Sequence, residues 1–297
     1  MTEKKRTEPD WQDIRIFLAL GRYGSLSAAA RALSATHSTI SRRLRSLEAT
    51  LGEKLVERRP EGYVLTEAGT RALAAAGDME AAVQTLERGG EDGSVRGLVR
   101  VNASPAISQG FLVAKLARLP LLYPGLDIDL ASDLRAVSLE RHVTDIAVRL
   151  GRPKDGDVIA KPLGKMGFGF YGTKAVCKRI ADGAEPVFIG FDEANAYIPE
   201  AEWLARHFPQ ARVVFRANNQ VAQATAALTG VGVALLPHYI GRSTPKLLPC
   251  DLAPAPSPPP REIWLITRGQ DRKDLPIRTV VDYLLETFAS ERALFEE

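Results

Sequence analysis

Cysteine, histidine and long apolar runs are all scarce in this chain of 297 residues. Two cysteines, Cys177 and Cys250, are too few and too far apart in sequence to suggest a disulfide framework. Each is expected to be an ordinary thiol. The four histidines (37, 142, 207 and 238) show no metal-ligand spacing with cysteines or acids, so neither a metal nor another cofactor is expected. No apolar run approaches the roughly 20 residues that span a bilayer. The polar start MTEKKRTEPDWQ lacks the apolar centre of a secretion signal, which predicts a cytoplasmic protein with no membrane partner. A net charge of only +3 excludes a uniformly basic coat for nucleic acid. Catalytic signatures are missing as well. There is no Gly-rich phosphate loop after a strand and no Gly-x-Ser-x-Gly elbow, and four scattered histidines place no Ser/His/Asp triad. GFGFYG (167–172) superficially resembles a Gly-rich loop, but its alternation of Gly with aromatic residues suits a buried strand. An enzyme is not expected.

What is present is concentrated near the start. SLSAAARALSATHSTISRRLRSLE (25–48) reads as two short helices around a tight corner. Ala28, Ala29, Ala30 and Ala32 supply the small side of a closely packed first helix. Ser34-Ala35-Thr36 makes the turn, with Thr36 as N-cap. Ile40, Leu44 and Leu47, spaced by four and three, form one buried stripe in the second helix. His37, Ser38, Thr39, Ser41, Arg42, Arg43 and Arg45 are then candidates for DNA contact, with Ser25 and Arg31 from the preceding helix. Short hydroxyls reach phosphates or base edges, and Arg binds guanine through two hydrogen bonds. A solvated basic helix has the same pattern, so the neighbouring residues decide. Lys54–Arg58 and Tyr63–Leu65 are extended runs separated by a Pro/Gly turn, a hairpin wing with Arg58 and Arg59 at its tip to straddle the backbone. Residues 36–60 hold six Lys or Arg against three Glu, so the basic charge is local.

Several separated blocks now agree in order and spacing: WQDIRIFLAL (11–20), GSLSAAA (24–30), STISRRL (38–44), Leu47-Glu48, Leu51-Gly52 and LTEAG (65–69). The chain resembles the LysR-type bacterial transcriptional regulators. Where that family most often carries Gln at the base-reading position, this chain has His37, so its operator preference does not carry over. Leu26 and Val56 stand where Phe is common. The resemblance implies an N-terminal winged helix-turn-helix, a long linker helix and a two-lobed, periplasmic-binding-protein-like α/β effector domain.

Ala72, Ala76, Met79, Val83 and Leu86 follow a seven-residue rhythm, which suits helix pairing or packing on the helix's own domain. The resemblance favours pairing, because these regulators dimerise through the linker helix, and a dimer suits a two-fold-related site on double-stranded DNA. The expected organisation is a disordered tail (1–9), the DNA-binding domain (10–65), the linker helix (66–90), a joint (91–97) and the effector domain (98–297). By the same resemblance, lobe 1 would hold 98–163 and 268–297, lobe 2 would hold 164–267, and the hinge would lie near Pro162–Gly164 and Thr267–Arg268.

From about Leu98, strands and helices alternate, which predicts a largely parallel α/β sheet. Ligands bind such sheets at the carboxyl ends of strands. That rule selects Ser104, Ser132, Arg149 and Asn218 as effector-binding candidates, with Ser104 and Asn218 equally suited to helix capping. Asp133 would oppose an anion. The function expected is a sequence-specific DNA-binding regulator, a homotetramer of paired dimers, modulated by a small effector of anionic character, with RNA polymerase as a further candidate partner. The rival is a constitutive DNA-binding protein whose C-terminal domain only oligomerises.

Overall fold

The computed structural model describes residues 8–59, 62–88, 94–132, 144–153, 158–252, 256–269, 271 and 274–296, without the side chains of 78, 81 and 84–88. Most of the expected tail, residues 91–93 of the joint, Leu86 as a side chain and Asp133 fall outside that set. The described residues divide at Ser94 into two compact units.

The first unit contains α1 (Trp11–Tyr23), α2 (Leu26–Ala32), α3 (His37–Leu51), β1 (Val56–Arg59), β2 (Gly62–Leu65) and α4 (Glu67–Arg88). Each of the first three helices starts where a short polar side chain satisfies an orphan amide: Asp10 accepts from Gln12 N, Ser25 from Ala28 N and Thr36 from Thr39 N. Phe17, Leu20, Ala29, Ile40, Leu44, Leu47, Leu55 and Leu73 close one core. The expected stripe of Ile40, Leu44 and Leu47 is its α3 contribution. Gly69 is required by close approach, since a Cβ there would lie 1.9 Å from the Leu55 carbonyl oxygen. This is why α4 can begin directly beneath the wing.

The second unit contains two five-stranded sheets. Lobe 1 is built on β3 (Arg96–Ala103), β4 (Gly125–Ser132), β5 (Ile146–Leu150), β6 (Val158–Met166) and β12 (Arg261–Arg268), in the order β4-β3-β5-β12-β6. Lobe 2 is built on β7 (Phe168–Thr173), β8 (Phe188–Gly190), β9 (Val213–Arg216), β10 (Val233–Pro237) and β11 (Leu247–Pro249), in the order β11-β7-β10-β8-β9. Lobe 1 carries α5 (Pro105–Ile107), a π turn (Ser108–Leu112), α6 (Val113–Leu116), α7 (Leu119–Leu122), α12 (Leu275–Ser290) and α13 (Arg292–Glu296). Lobe 2 carries α8 (Lys174–Ala181), α9 (Pro199–His207), α10 (Gln220–Leu228) and α11 (His238–Ser243).

Three expectations are corrected. The sheets are mixed: β3 pairs parallel with β4 and β5, and β8 parallel with β9 and β10, but β12, β7 and β11 run antiparallel to their neighbours. Each sheet takes a strand that has crossed from the other lobe, and such a strand enters from the opposite end. For the same reason, residues 261–267 belong to lobe 1 rather than lobe 2. The chain crosses between lobes at 166–168 and 249–261, beyond Pro162–Gly164 and before Thr267–Arg268. The third correction concerns the cysteines. Cys177 and Cys250 form a disulfide, with Cα atoms 5.1 Å apart across a sequence separation of 73. Leu247 pairs with Thr173, which caps α8, so the end of β11 is delivered beside the helix that bears Cys177.

One apolar cluster runs through both lobes. Phe111, Phe288 and Phe295 of lobe 1 receive Tyr239 of lobe 2, with ring centroids 6.3 Å (Phe111) and 4.9 Å (Phe295) from it. Burial raises the Tyr239 hydroxyl well above its ordinary pKa. Among the described residues no helix is long and apolar enough to cross a membrane.

Candidate functional site

In the first unit, α3 presents Ser38, Arg42 and Arg45 at spacings of four and three, hence on one exposed or half-exposed face opposite its buried stripe. Arg42 is exposed and points away from the core. Arg45 donates to the Ser41 carbonyl at 3.3 Å, which orients it along the helix. Ser38 and Thr39 share their hydroxyl hydrogens with Thr36 (2.9 and 2.8 Å), so part of their bonding capacity is used in the helix start. His37, Arg58 and Arg59 line an open groove of about 470 Å³ with Ser25, Ser27, Gly62 and Tyr63. Two arginines and an imidazole around short hydroxyls make a cationic, hydrogen-bonding concavity fitted to a phosphate backbone. Arg31 is exposed on α2.

Arg43 is already engaged within the unit. It turns away from Arg42 and pairs with Asp13 at 2.9 Å and Asp10 at 3.5 Å, joining α3 to the start of α1. The Asp13 hydrogen bond holds its guanidinium above the usual arginine value. Glu48, part of the matched blocks but given no role by sequence, proves central. Its buried carboxylate accepts from Leu55 N (2.9 Å), Val56 N (3.4 Å) and Lys54 Nζ (2.7 Å), which ties the first strand of the wing to α3. Position on the helix gave the signal: Glu48 follows Leu47 on the buried side.

Along α4 the heptad stripe is divided. Ala76 is buried and Ala72 half-buried against the unit's own core, whereas Met79 is 46% exposed and Val83 half-exposed. Arg22 and Glu80 form an ion pair that fixes α1 to α4 just before this exposed stretch. The exposed part of the stripe therefore starts at Met79.

The second unit holds a partly open cavity of about 140 Å³ between its lobes. It lies at the carboxyl ends of β3 and β5 on one side and of β8 on the other, where the switch-point rule places ligands. Lobe 1 contributes Ser104, Pro105, Ala106, Arg149, Leu150 and Arg261. Lobe 2 contributes Phe191, Tyr197, Ile198, Pro199, Glu200, Asn219 and Gln220. The first turns of α9 and α10 both face it, presenting amide dipoles that favour negative charge. Arg149 donates to the Asn102 carbonyl at 3.0 Å and also to its side-chain oxygen.

Two of the four effector candidates, Ser104 and Arg149, line this cavity. Ser132 ends β4 on an exposed edge, and Asn218 is exposed outside the cavity, where its neighbour Asn219 is the true cap of α10. The expected cap at Asn218 is thus one residue early. Ser104 occupies the N-cap position of α5 but makes no side-chain cap bond, and its buried Oγ has no hydrogen-bond partner among the described residues. A buried hydroxyl left unpaired next to a cavity is a costly arrangement unless something else enters.

Both units match known sequence families. Residues 11–70 match the bacterial regulatory helix-turn-helix of the lysR family, and residues 92–289 match the LysR substrate binding domain. The chain belongs to the LysR family. It is a DNA-binding transcriptional regulator with an effector-binding domain. This LysR-family chain is 29% identical to the Mau operon transcriptional activator of Paracoccus denitrificans, covering 96% of this chain and 98% of that one. It is 25% identical to the transcriptional activator AaeR of Escherichia coli, covering 95% of each. Among solved structures, ArgP from Mycobacterium tuberculosis matches with a TM-score of 0.65 at 19% identity, over 96% of this chain and 98% of that one. CrgA from Neisseria meningitidis matches with 0.55 at 21%, over 95% and 99%. At these identities the structures speak for the fold alone.

Proposed function

We propose that this LysR-family regulator acts in the cytoplasm as a dimer paired along α4, or a tetramer of such dimers, on a two-fold-related site in double-stranded DNA, and performs no catalysis. Arg42, Arg45 and His37 read base edges, while Arg58, Arg59, Ser25 and Arg31 hold the backbone. Arg43 serves α1 packing instead. The effector is a small molecule bearing an anionic group, bound between the lobes, and RNA polymerase is the partner on which its regulation would act. The observation that carries the effector reading, against a purely oligomerising domain, is the cavity between the lobes with two arginines, two helix starts and the orphan Ser104 hydroxyl. A ligand changes regulation only through different affinity for two lobe arrangements.

The reading is tested by recovering genomic fragments with purified protein at physiological salt. A few intergenic sites sharing a two-fold repeat are expected. Random fragments would count against sequence-specific regulation. On a recovered site, Arg42→Ala is expected to lose about 1–3 kcal/mol of specific binding while leaving random-sequence binding nearly intact. Arg59→Ala should instead weaken all sequences alike and flatten the salt dependence by about one unit. Equal losses on specific and random DNA for Arg42→Ala would remove its base-reading role. Introducing charge at the exposed end of the stripe, Met79→Glu with Val83→Glu, is expected to give monomers by sedimentation. An undisturbed dimer would place the interface elsewhere.

A further inference from the structure

The cavity wall contains an ion pair that joins the two lobes. Arg261, at the start of β12 in lobe 1, donates through Nη1 to both oxygens of Glu200 on α9 of lobe 2, at 3.1 and 3.4 Å. Its Nη2 donates to the Leu150 carbonyl at 3.2 Å, which fixes the guanidinium against β5. The Glu200 side chain is 6% exposed and that of Arg261 26%. Both line the cavity, and beside them lies the buried, unpartnered Ser104 Oγ.

This arrangement constrains what can enter. A simple carboxylate attracted to Arg261 competes with Glu200 and leaves that buried carboxylate without its cation, which is heavily penalised. A simple amine attracted to Glu200 strands Arg261 in the same way. A molecule with both charges inserts into the pair and replaces one ion pair by two. We propose that the cleft takes a small α-amino acid or related amino carboxylate, its carboxylate meeting Arg261 and its ammonium meeting Glu200. Ser104 Oγ then gains its missing partner from either group, and Pro105, Phe191 and Ile198 surround a small apolar side chain. Because the two anchors sit on different lobes, such a ligand reads and resets the lobe spacing directly. The inference rests on the effector reading above and specifies its chemistry.

The test uses the full-length protein and calorimetric titration with the common L-amino acids, each beside the carboxylic acid lacking its amino group and the amine lacking its carboxyl group. At least one amino acid should bind, with its two truncated analogues weaker by roughly 30-fold or more, the lower end of the cost of an unpaired buried charge. Glu200→Gln, checked for native circular dichroism, should erase the preference over the matched carboxylic acid. Arg261→Lys, which keeps the charge, should weaken binding and retain the preference. Matched carboxylic acids binding as tightly as amino acids, an unchanged preference in Glu200→Gln, or no binding from the whole series would each overturn the proposal. Titrating the recovered DNA site in the same samples separates the two readings. An amino acid that binds but leaves DNA affinity and contact pattern unchanged counts against effector control, not against the ligand chemistry.

Discussion

Arg268→Met is expected to destabilise the larger unit by about 3–5 kcal/mol, the cost of removing one partner from a buried ionic group. Arg268 ends β12 with its side chain only 9% exposed, donating through Nε to Asp271 at 2.8 Å and through Nη2 to Asp145 at 3.1 Å. Asp145 also accepts from the Arg100 backbone amide at 2.8 Å, so the cluster fastens β3 to the end of β12. Methionine fills the same space but leaves both carboxylates buried without this cation. Chemical denaturation followed by circular dichroism measures the loss. Its pH dependence identifies the cause. Burial already raises the Asp271 pKa, with Arg268 opposing the shift, so removing Arg268 raises it further. An acid whose folded pKa exceeds its unfolded value binds extra protons on folding. The deficit is therefore full above the raised value and shrinks as pH falls toward about 3.9, the unfolded value. A pH-independent deficit would mean that lost packing, not stranded charge, is responsible.

Reducing the Cys177–Cys250 disulfide is expected to cost about 4 kcal/mol, the loop-closure contribution for a bond spanning 73 residues. In a unit of this size that corresponds to a melting temperature lower by roughly 8–16 °C. The bond closes a loop containing α8 to α11 and β8 to β11, almost the whole of lobe 2, so its effect falls on that lobe. Cys177→Ser should reproduce the shift seen with dithiothreitol, and dithiothreitol should then add nothing further to the variant. Two titratable thiols in the unreduced, denatured protein would remove the disulfide altogether.

The smaller unit was largely legible because its signals are local. The cap at Thr36, the stripe Ile40-Leu44-Leu47 and the hairpin pairing of Arg59 with Gly62 each lie within a few residues of what they organise. The ion pair of Arg43 was not legible, because a helix face does not reveal which carboxylate of another helix it meets. Asp13 lies 30 residues away in sequence and 2.9 Å away in space. The heptad stripe was ambiguous for a similar reason: the same apolar rhythm serves the unit's own core at Ala76 and leaves Met79 exposed.

In the larger unit, sequence established the alternation of strands and helices, and so the class of fold and the rule that ligands meet strand ends. Ser104 and Arg149 follow from that rule. What it did not contain is which strand lies beside which. The chain crosses twice between lobes, and β12 returns to pair with β5, 113–121 residues earlier by the ladder register, and with β6, 95–110 residues earlier. Those pairings bring Arg261 to Glu200 and Arg268 to Asp145, and the pairing of β11 with β7 brings Cys250 to Cys177. Local propensity and periodicity fix elements, because they act over one or two turns. Ion pairs, disulfides and cavity walls are fixed by long-range contacts, whose partners no short window of sequence can hold.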